Sequence, residues 1–184
     1  MEIFDNSFIT LADDLIKRNL SRVKGKKVLV LGFSSQEVEK ATKRNDIKKI
    51  GKFFYKKRFD SSRFFEFAKK QKHEFDFVFD LGFSSHFYKG ELPAFYTYTS
   101  RLLGFKGKLY SVIPSKDSGS CRRRCPARLW SYFEGQYTRF VTEKELRHLM
   151  QANFGIEKIK VHSNGENSFF EVNAVNDMKK IGFK

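Results

Sequence analysis

Lys27-Val28-Leu29-Val30-Leu31-Gly32-Phe33-Ser34-Ser35 and Phe75-Asp76-Phe77-Val78-Phe79-Asp80-Leu81-Gly82-Phe83-Ser84-Ser85 decide the fold of this chain. Each is a short apolar run that ends in the same pentapeptide, LGFSS. Short runs rich in β-branched or aromatic residues, bounded by Gly and Ser, signal buried strands. Each copy therefore reads as a strand that stops at a glycine and opens into a small polar turn. Between them, Ser61 to Lys72 reads as a helix, so the local order is strand, helix, strand. Such alternation points to parallel strands in an α/β sheet. Open α/β sheets hold ligands outside the carboxyl ends of their strands, where strand order reverses. The expectation is that both turns sit side by side at such a crevice. The alternative is that two buried strands share turn chemistry by chance.

Working outward, 184 residues suffice to bury a sizeable core, and no linker divides the chain, so residues 1–184 read as one domain. Lys and Arg outnumber Asp and Glu by 36 to 21, a formal charge of +15. A surplus of this size points to a polyanionic partner such as RNA, or to a charged membrane surface, over a merely basic protein; its setting among aromatics favours nucleic acid. No apolar stretch has the length of a membrane span. The start has no charged segment, apolar run and small-residue cleavage site of a secretory leader. Only two cysteines occur, Cys121 and Cys125. The chain thus reads as cytoplasmic and reduced, without a structural disulfide.

Phe8, Leu11, Ala12, Leu15 and Ile16 follow helical spacing, with Asn6 or Ser7 as cap, and predict a helix over 6–19. A basic connector, Arg18 through Lys27, follows. Gln36 to Arg44 reads as a short helix and Ile47 to Tyr55 as a second strand. Asp60 or Ser61 caps the helix that carries Phe64, Phe65 and Ala68. Leu92, Phe95, Tyr96, Thr99, Leu102 and Leu103 mark a further amphipathic helix, stopped at Gly104. Lys108 to Ile113 is a strand, and Ser115 to Arg128 a long basic loop. Thr142 and Glu145 form a capping box for a helix with Leu146, Leu149 and Met150 as its apolar stripe. Ile156 to His162 and Ser168 to Val175 alternate like strands around Asn164-Gly165, which predicts an antiparallel hairpin. Residues 176–184 form a basic tail.

This order of elements resembles the class I S-adenosylmethionine-dependent methyltransferases. Four stretches carry the resemblance: Val28 to Gly32 with its turn, Phe75 to Asp80, Leu103 to Tyr110, and Phe140 to Leu146 followed by Asn153-Phe154-Gly155-Ile156. The fold it implies is a three-layer α/β sandwich, Rossmann-like, with a mostly parallel sheet and a C-terminal antiparallel hairpin. It also implies that the two LGFSS strands are neighbours. The cofactor implied is S-adenosylmethionine, held by backbone amides of the first turn and a carboxylate on the ribose. Gly32, Ser34, Ser35, Asp80 and Gly82 stand at the matching positions. The chain departs from the pattern in two places. The first turn has one glycine and no acid. The end of the second strand, where the ribose carboxylate is expected, reads Lys56-Lys57-Arg58, leaving Asp60 as the nearest acid. The segment from Gln36 to Phe75 is also short for the two helix–strand units usual there.

The other candidates come from the residues themselves. Asp80 either contacts a ligand or caps its own turn through its carboxylate. Asp76 reads as structural. His86 follows the second turn and is a base, a ligand or an ordinary buried imidazole. Cys121 and Cys125 lack the further ligands that zinc or an iron–sulfur cluster needs, so no metal is expected. Arg122, Arg123 and Arg124, with Lys116 and Arg128, suit bidentate phosphate contact, and Trp130, Tyr132 and Phe133 suit base stacking. The resemblance implies a methyltransferase, and the charge and the arginine run point to nucleic acid or a nucleic-acid-associated molecule as its substrate. The missing acid and glycine favour a second reading: a catalytically degenerate, basic module that binds RNA or builds a complex.

Overall fold

The computed structural model describes residues 6–32, 40, 49–53, 60–117, 130–133, 136–164 and 167–177. A six-stranded sheet forms the middle layer. Its strands are β1 (Lys27–Gly32), β2 (Lys49–Phe53), β3 (Phe75–Leu81), β4 (Leu103–Pro114), β7 (Phe154–Ser163) and β8 (Ser168–Asn176). Their order is β2-β1-β3-β4-β8-β7. The pairs β1·β2, β1·β3 and β3·β4 are parallel, while β4·β8 and β7·β8 are antiparallel. The last hairpin therefore inserts β8, reversed, between β4 and β7. A two-stranded ribbon, β5 (Trp130–Phe133) with β6 (Gln136–Arg139), lies outside this sheet.

Alternation along the strands builds the outer layers. Val28 and Val30 of β1 join Phe77, Phe79, Tyr110, Val112 and Phe169 on one face, against α1 (Asn6–Val23). Leu29, Leu31, Val78, Leu109, Ile113, Val172 and Ala174 face the other way. There they meet α2 (Ser61–Lys70), α3 (Leu92–Leu102) and α4 (Glu143–Met150). This is the expected three-layer α/β architecture with a mostly parallel sheet.

The abundant phenylalanine has a specific place in it. Phe64 of α2 lies 5.2 Å, ring to ring, from Phe95 of α3, and Phe83 and Phe87 on either side of a single 3-10 turn (Ser84–His86) lie 5.6 and 5.8 Å from Phe64. Phe87 and Phe95 are 4.8 Å apart. Aromatic pairs in such tilted and edge-on arrangements add about 0.5–1.5 kcal/mol each beyond the area they bury. The cluster locks the second LGFSS turn onto both helices.

Several predicted boundaries shift. α1 runs to Val23, four residues past Asn19, because Asn19 is buried and donates to the Leu15 carbonyl at 2.7 Å. The basic connector shrinks to the turn before β1. β4 begins at Leu103 directly after α3, five residues before the predicted start. Buried Asn176 fastens that junction by donating to the carbonyls of Ser100 and Leu103 at 2.9 and 3.1 Å. Asp60 caps α2, accepting from Ser62 N at 3.0 Å. Only half of the capping box forms at α4: Thr142 Oγ1 accepts from Glu145 N, while the Glu145 carboxylate turns to Arg139. In the segment 33–48 only Lys40 is described, as helical, so the predicted helix there lies mainly outside the described residues. No helix among the described residues is long and apolar enough to cross a membrane.

The neighbouring strands force one tight contact. Gly32 pairs with Leu81, and a Cβ on Gly32 would stand 2.2 Å from the Leu81 carbonyl oxygen and 3.1 Å from Phe83 N. Its φ of +93° also lies where side chains are strained. Gly90, by contrast, has nothing within 4 Å of the same position. Gly32→Ala should therefore destabilise the fold by about 3 kcal/mol or more, combining left-handed strain of about 1–2 kcal/mol with overpacking against main chain. Gly90→Ala should stay within about 0.5 kcal/mol of the parent. Urea unfolding of both variants checks this, and equal stabilities would contradict the contact.

Candidate functional site

The crevice is built from two turns that the sheet brings together. β1 and β3 are adjacent and parallel, so their carboxyl ends open on the same side. Gly32 closes β1, and Gly82, with φ +75°, follows β3. Gly82 N donates to the Val112 carbonyl at 3.0 Å, which ties this turn to β4 as well. Ser34 and Ser35 of the first turn lie outside the described residues.

The second turn is held by its own polar groups. Ser84 N donates to Asp80 Oδ1 at 3.0 Å, and Ser85 Oγ donates to the Gly82 carbonyl at 2.6 Å. Asp80, Ser84, Ser85 and His86 are all buried, so the small polar turn expected at the surface is an interior one. Asp80 shares the face of Val78 and Ser111 and is fully buried beneath α3. Of the two readings of Asp80, the cap is the one seen. Burial pushes its carboxyl up to about 6, against partial compensation from the Ser84 amide. Oδ2, Ser84 Oγ and Ser111 Oγ remain buried without a hydrogen-bond partner. The fully buried Tyr96 phenol is pushed up first by burial, then by the Asp80 and Glu145 charges. A buried polar strip thus runs from the turn toward α4.

His86 joins the turn to the ribbon above it. Its Nδ1 lies 2.7 Å from the Tyr137 carbonyl, which can only accept, so Nδ1 carries the proton. Burial lowers the imidazole to about 4, which keeps it neutral. The Tyr88 and Tyr137 rings lie 4.7 Å apart alongside. At the ribbon's root, Arg139 pairs with Glu145 of α4. Ser115 and Val141 form a parallel bridge, so the insertion between β4 and α4 leaves and returns at one point. The backbone of Trp130 is placed at the start of β5, opposite Arg139. Arg122, Arg123, Arg124, Cys121 and Cys125 lie outside the described residues. Among the described residues, no three of His, Cys, Asp or Glu converge as metal ligands would.

The sequence reading missed the ribbon. Its signal was present: two short runs with aromatic or β-branched residues, Trp130 to Phe133 and Gln136 to Arg139, flank Glu134-Gly135. It also missed a cavity of about 430 Å³ under the start of α1, floored by Leu11 and Phe169 and rimmed by Asp14, His162 and Asn164. That cavity lies at the far edge of the sheet, away from the two turns. Asp60, the nearest acid for a ribose, is engaged in its cap and paired with Arg63 at 3.6 Å.

The buried carboxyl of Asp80 sets a pH dependence. Its folded value lies above that of an unfolded aspartate, so its contribution to stability is full below about pH 4 and is lost as pH rises through about 6. At about 1.4 kcal/mol per unit this amounts to at most about 3 kcal/mol. Asp80→Asn keeps an acceptor for Ser84 N and removes the charge. The variant should be more stable than the parent at pH 7.5 by about 1–3 kcal/mol, with a flatter profile between pH 4 and 6. Chemical denaturation across that range reads both, and an unchanged slope would contradict the assignment.

No family model and no curated protein matches the sequence. Solved structures do. A methyltransferase from Burkholderia thailandensis that acts at N1 of 1,6-didemethyltoxoflavin, solved with S-adenosylhomocysteine, superposes with a TM-score of 0.59 at 15% identity, over 94% of this chain and 79% of that one. A SAM-dependent methyltransferase from Archaeoglobus fulgidus gives 0.63 at 13% identity, over 91% of this chain and 94% of that one. The cyclase SpnF gives 0.58 at 12% identity, over 91% and 80%. Together with the strand order and the reversed β8, these likenesses identify the fold of this chain as that of the class I S-adenosylmethionine-dependent methyltransferases.

Proposed function

We propose that this protein is an S-adenosylmethionine-dependent methyltransferase whose acceptor is nucleic acid or a nucleic-acid-associated molecule. The observation that carries the reading is the pair of glycine turns at neighbouring carboxyl ends, Gly32 on β1 and Gly82 after β3. A ligand lying against main chain favours positions without side chains, and both turns carry a glycine, although the side-chain direction at Gly32 is taken up by the Leu81 carbonyl. Solved neighbours that bind S-adenosylhomocysteine in the same fold support the cofactor. Gly32 and Gly82 would offer backbone groups to the cofactor, with Ser34 and Ser35 following Gly32 in the sequence. Asp80 acts one step back, by fixing the Ser84 amide and hence the path of the second turn. Bound there, the cofactor supplies a methyl group on a sulfonium. The chain's own part is to position the acceptor and exclude water. The ribbon β5–β6, pinned over the second turn by His86 and Tyr137, is placed for that part. Arg122, Arg123, Arg124 and Trp130, in the same insertion, would hold a phosphate-bearing acceptor.

A degenerate binding module is the second reading. It is favoured by the single glycine of the first turn, by Lys56-Lys57-Arg58 where a ribose carboxylate is expected, and by the use of Asp60 as a cap. The fold also serves a cyclase, so the frame alone does not select the reaction.

Calorimetry with S-adenosylhomocysteine separates the two. Binding is expected, and ligand at about a hundred times its dissociation constant should stabilise the fold by about 2.7 kcal/mol. Gly82→Val should weaken that response, because its φ of +75° suits glycine and a branched side chain there strains the second turn. No heat and no thermal shift at about millimolar ligand would remove the enzyme reading. With binding in hand, transfer of labelled methyl from the cofactor to total RNA, against a small-molecule extract, identifies the acceptor class.

A further inference from the structure

A group of eight described cations lies at the end of the sheet opposite the two glycine turns. Three loops enter the parallel strands there. Lys24 and Lys26 lead into β1, and Lys27 opens it. Lys70 ends α2, and Lys72 lies between α2 and β3. Arg101 ends α3, and Lys106 and Lys108 stand in the first half of β4. All but half-buried Lys108 are exposed.

These loops are in contact. His73 N donates to the Arg101 carbonyl at 2.8 Å, and His73 Nδ1 lies 3.0 Å from the Leu103 carbonyl. Lys27 N donates to Asp76 Oδ2 at 2.8 Å. Since β1, β3 and β4 are neighbours, the three entry points span about 10 Å between the outer two. Among the described residues the carboxylates of this end are few and engaged: Glu74 with Lys27 at 3.7 Å, Asp76 with the Lys27 amide, and Glu157 with Lys108 at 3.1 Å. Asp177, just past β8, is half-buried. The face keeps a clear positive excess.

One aromatic ring stands out of it. Phe105 is 55% exposed, with the Lys106 ammonium 5.6 Å from its ring centre. Lys106 takes a left-handed backbone, φ +59°, at the tip of this projection. An exposed ring among cations is what a single nucleic-acid strand uses, phosphates on the charges and a base on the ring. An anionic lipid surface would attract the same charges, but the single ring here offers little of the apolar face that interfacial binding buries.

We propose that this amino-end face is a binding surface for single-stranded RNA, separate from the crevice and independent of methyl transfer. Where the methyltransferase reading holds, the face would anchor an RNA whose reacting part reaches round to the other end. The inference does not depend on that reading.

The test uses the whole chain and a labelled single-stranded RNA of about 20 nucleotides, followed by fluorescence anisotropy between about 50 and 200 mM salt. The test variant carries Lys26→Glu, Lys72→Glu and Lys106→Glu. The control carries Arg63→Glu, Lys89→Glu and Lys144→Glu, the same charge change away from this face. The test variant should bind at least about tenfold more weakly, and its log–log salt slope should be shallower by about 2, three contacts at about 0.7 each. A milder set, the same three lysines to Gln, should show the same shallower slope while melting like the parent. Phe105→Ala should weaken binding without changing the slope. Equal loss in test and control variants, a parent slope in the Gln set, or no RNA binding by the parent would overturn the proposal. So would tighter binding to vesicles containing phosphatidylserine than to RNA. S-adenosylhomocysteine calorimetry on the test variant keeps the readings apart: RNA binding lost with cofactor binding intact supports this face. RNA binding by a chain that takes no cofactor leaves the face standing and removes only the enzyme.

Discussion

The approach of Gly32 to the Leu81 carbonyl is the constraint on which the upper half of the molecule rests. A parallel pair can be this close at its carboxyl ends only if one chain carries no Cβ at the contact. The same glycine then turns with φ +93°, so the chain leaves β1 at the point where it touches the second turn. Crevice and close contact are therefore one feature. Were the strands splayed to admit a side chain, Leu29 and Leu31 would lose their seat among Val78, Leu109 and the aromatic residues of α2 and α3.

The second turn is held from three directions, and each uses a different force. Below it, Phe83 and Phe87 are pinned by Phe64 and Phe95 through apolar burial and ring packing. Inside it, Asp80 exchanges a costly desolvation for a fixed acceptor at the Ser84 amide. Above it, the neutral His86 donates to the Tyr137 carbonyl and so couples the turn to the ribbon. The hydrophobic contribution fixes where the turn sits. The two hydrogen bonds fix its shape and what lies over it. This division explains why a carboxylate that reads as a ligand-binding group is found facing the core.

The sheet was legible because alternation and glycine stops are local signals. Val28 to Gly32 and Phe75 to Leu81 announce strands without reference to the rest of the chain, and their adjacency followed from the resemblance and from the repeated turn. The end of α1 was not legible, since Arg18 to Lys24 has the composition of a connector; it is helical because Asn19 finds the Leu15 carbonyl and Val23 finds the core. The direction of Asp80 was not legible either. It depends on strand parity after the irregularity between Phe75 and Phe77, which only pairing with β4 reveals. The role of His86 needs Tyr137, 51 residues away, and nothing local connects them.

Charge was the feature that composition revealed and position reinterpreted. A surplus of +15 says that a polyanion is welcome but not where. The arginine run drew attention to the insertion after β4, yet a group of described lysines lies where the strands begin. That placement has a physical logic. Helices α1, α2 and α3 all end at this side of the sheet, and cations in last turns and the loops beyond them complement the partial negative charge of helix carboxyl termini. The crevice side receives the helix amino ends instead, where Glu143 and Glu145 open α4. The fold thus sorts charge between its two ends before any partner acts on it.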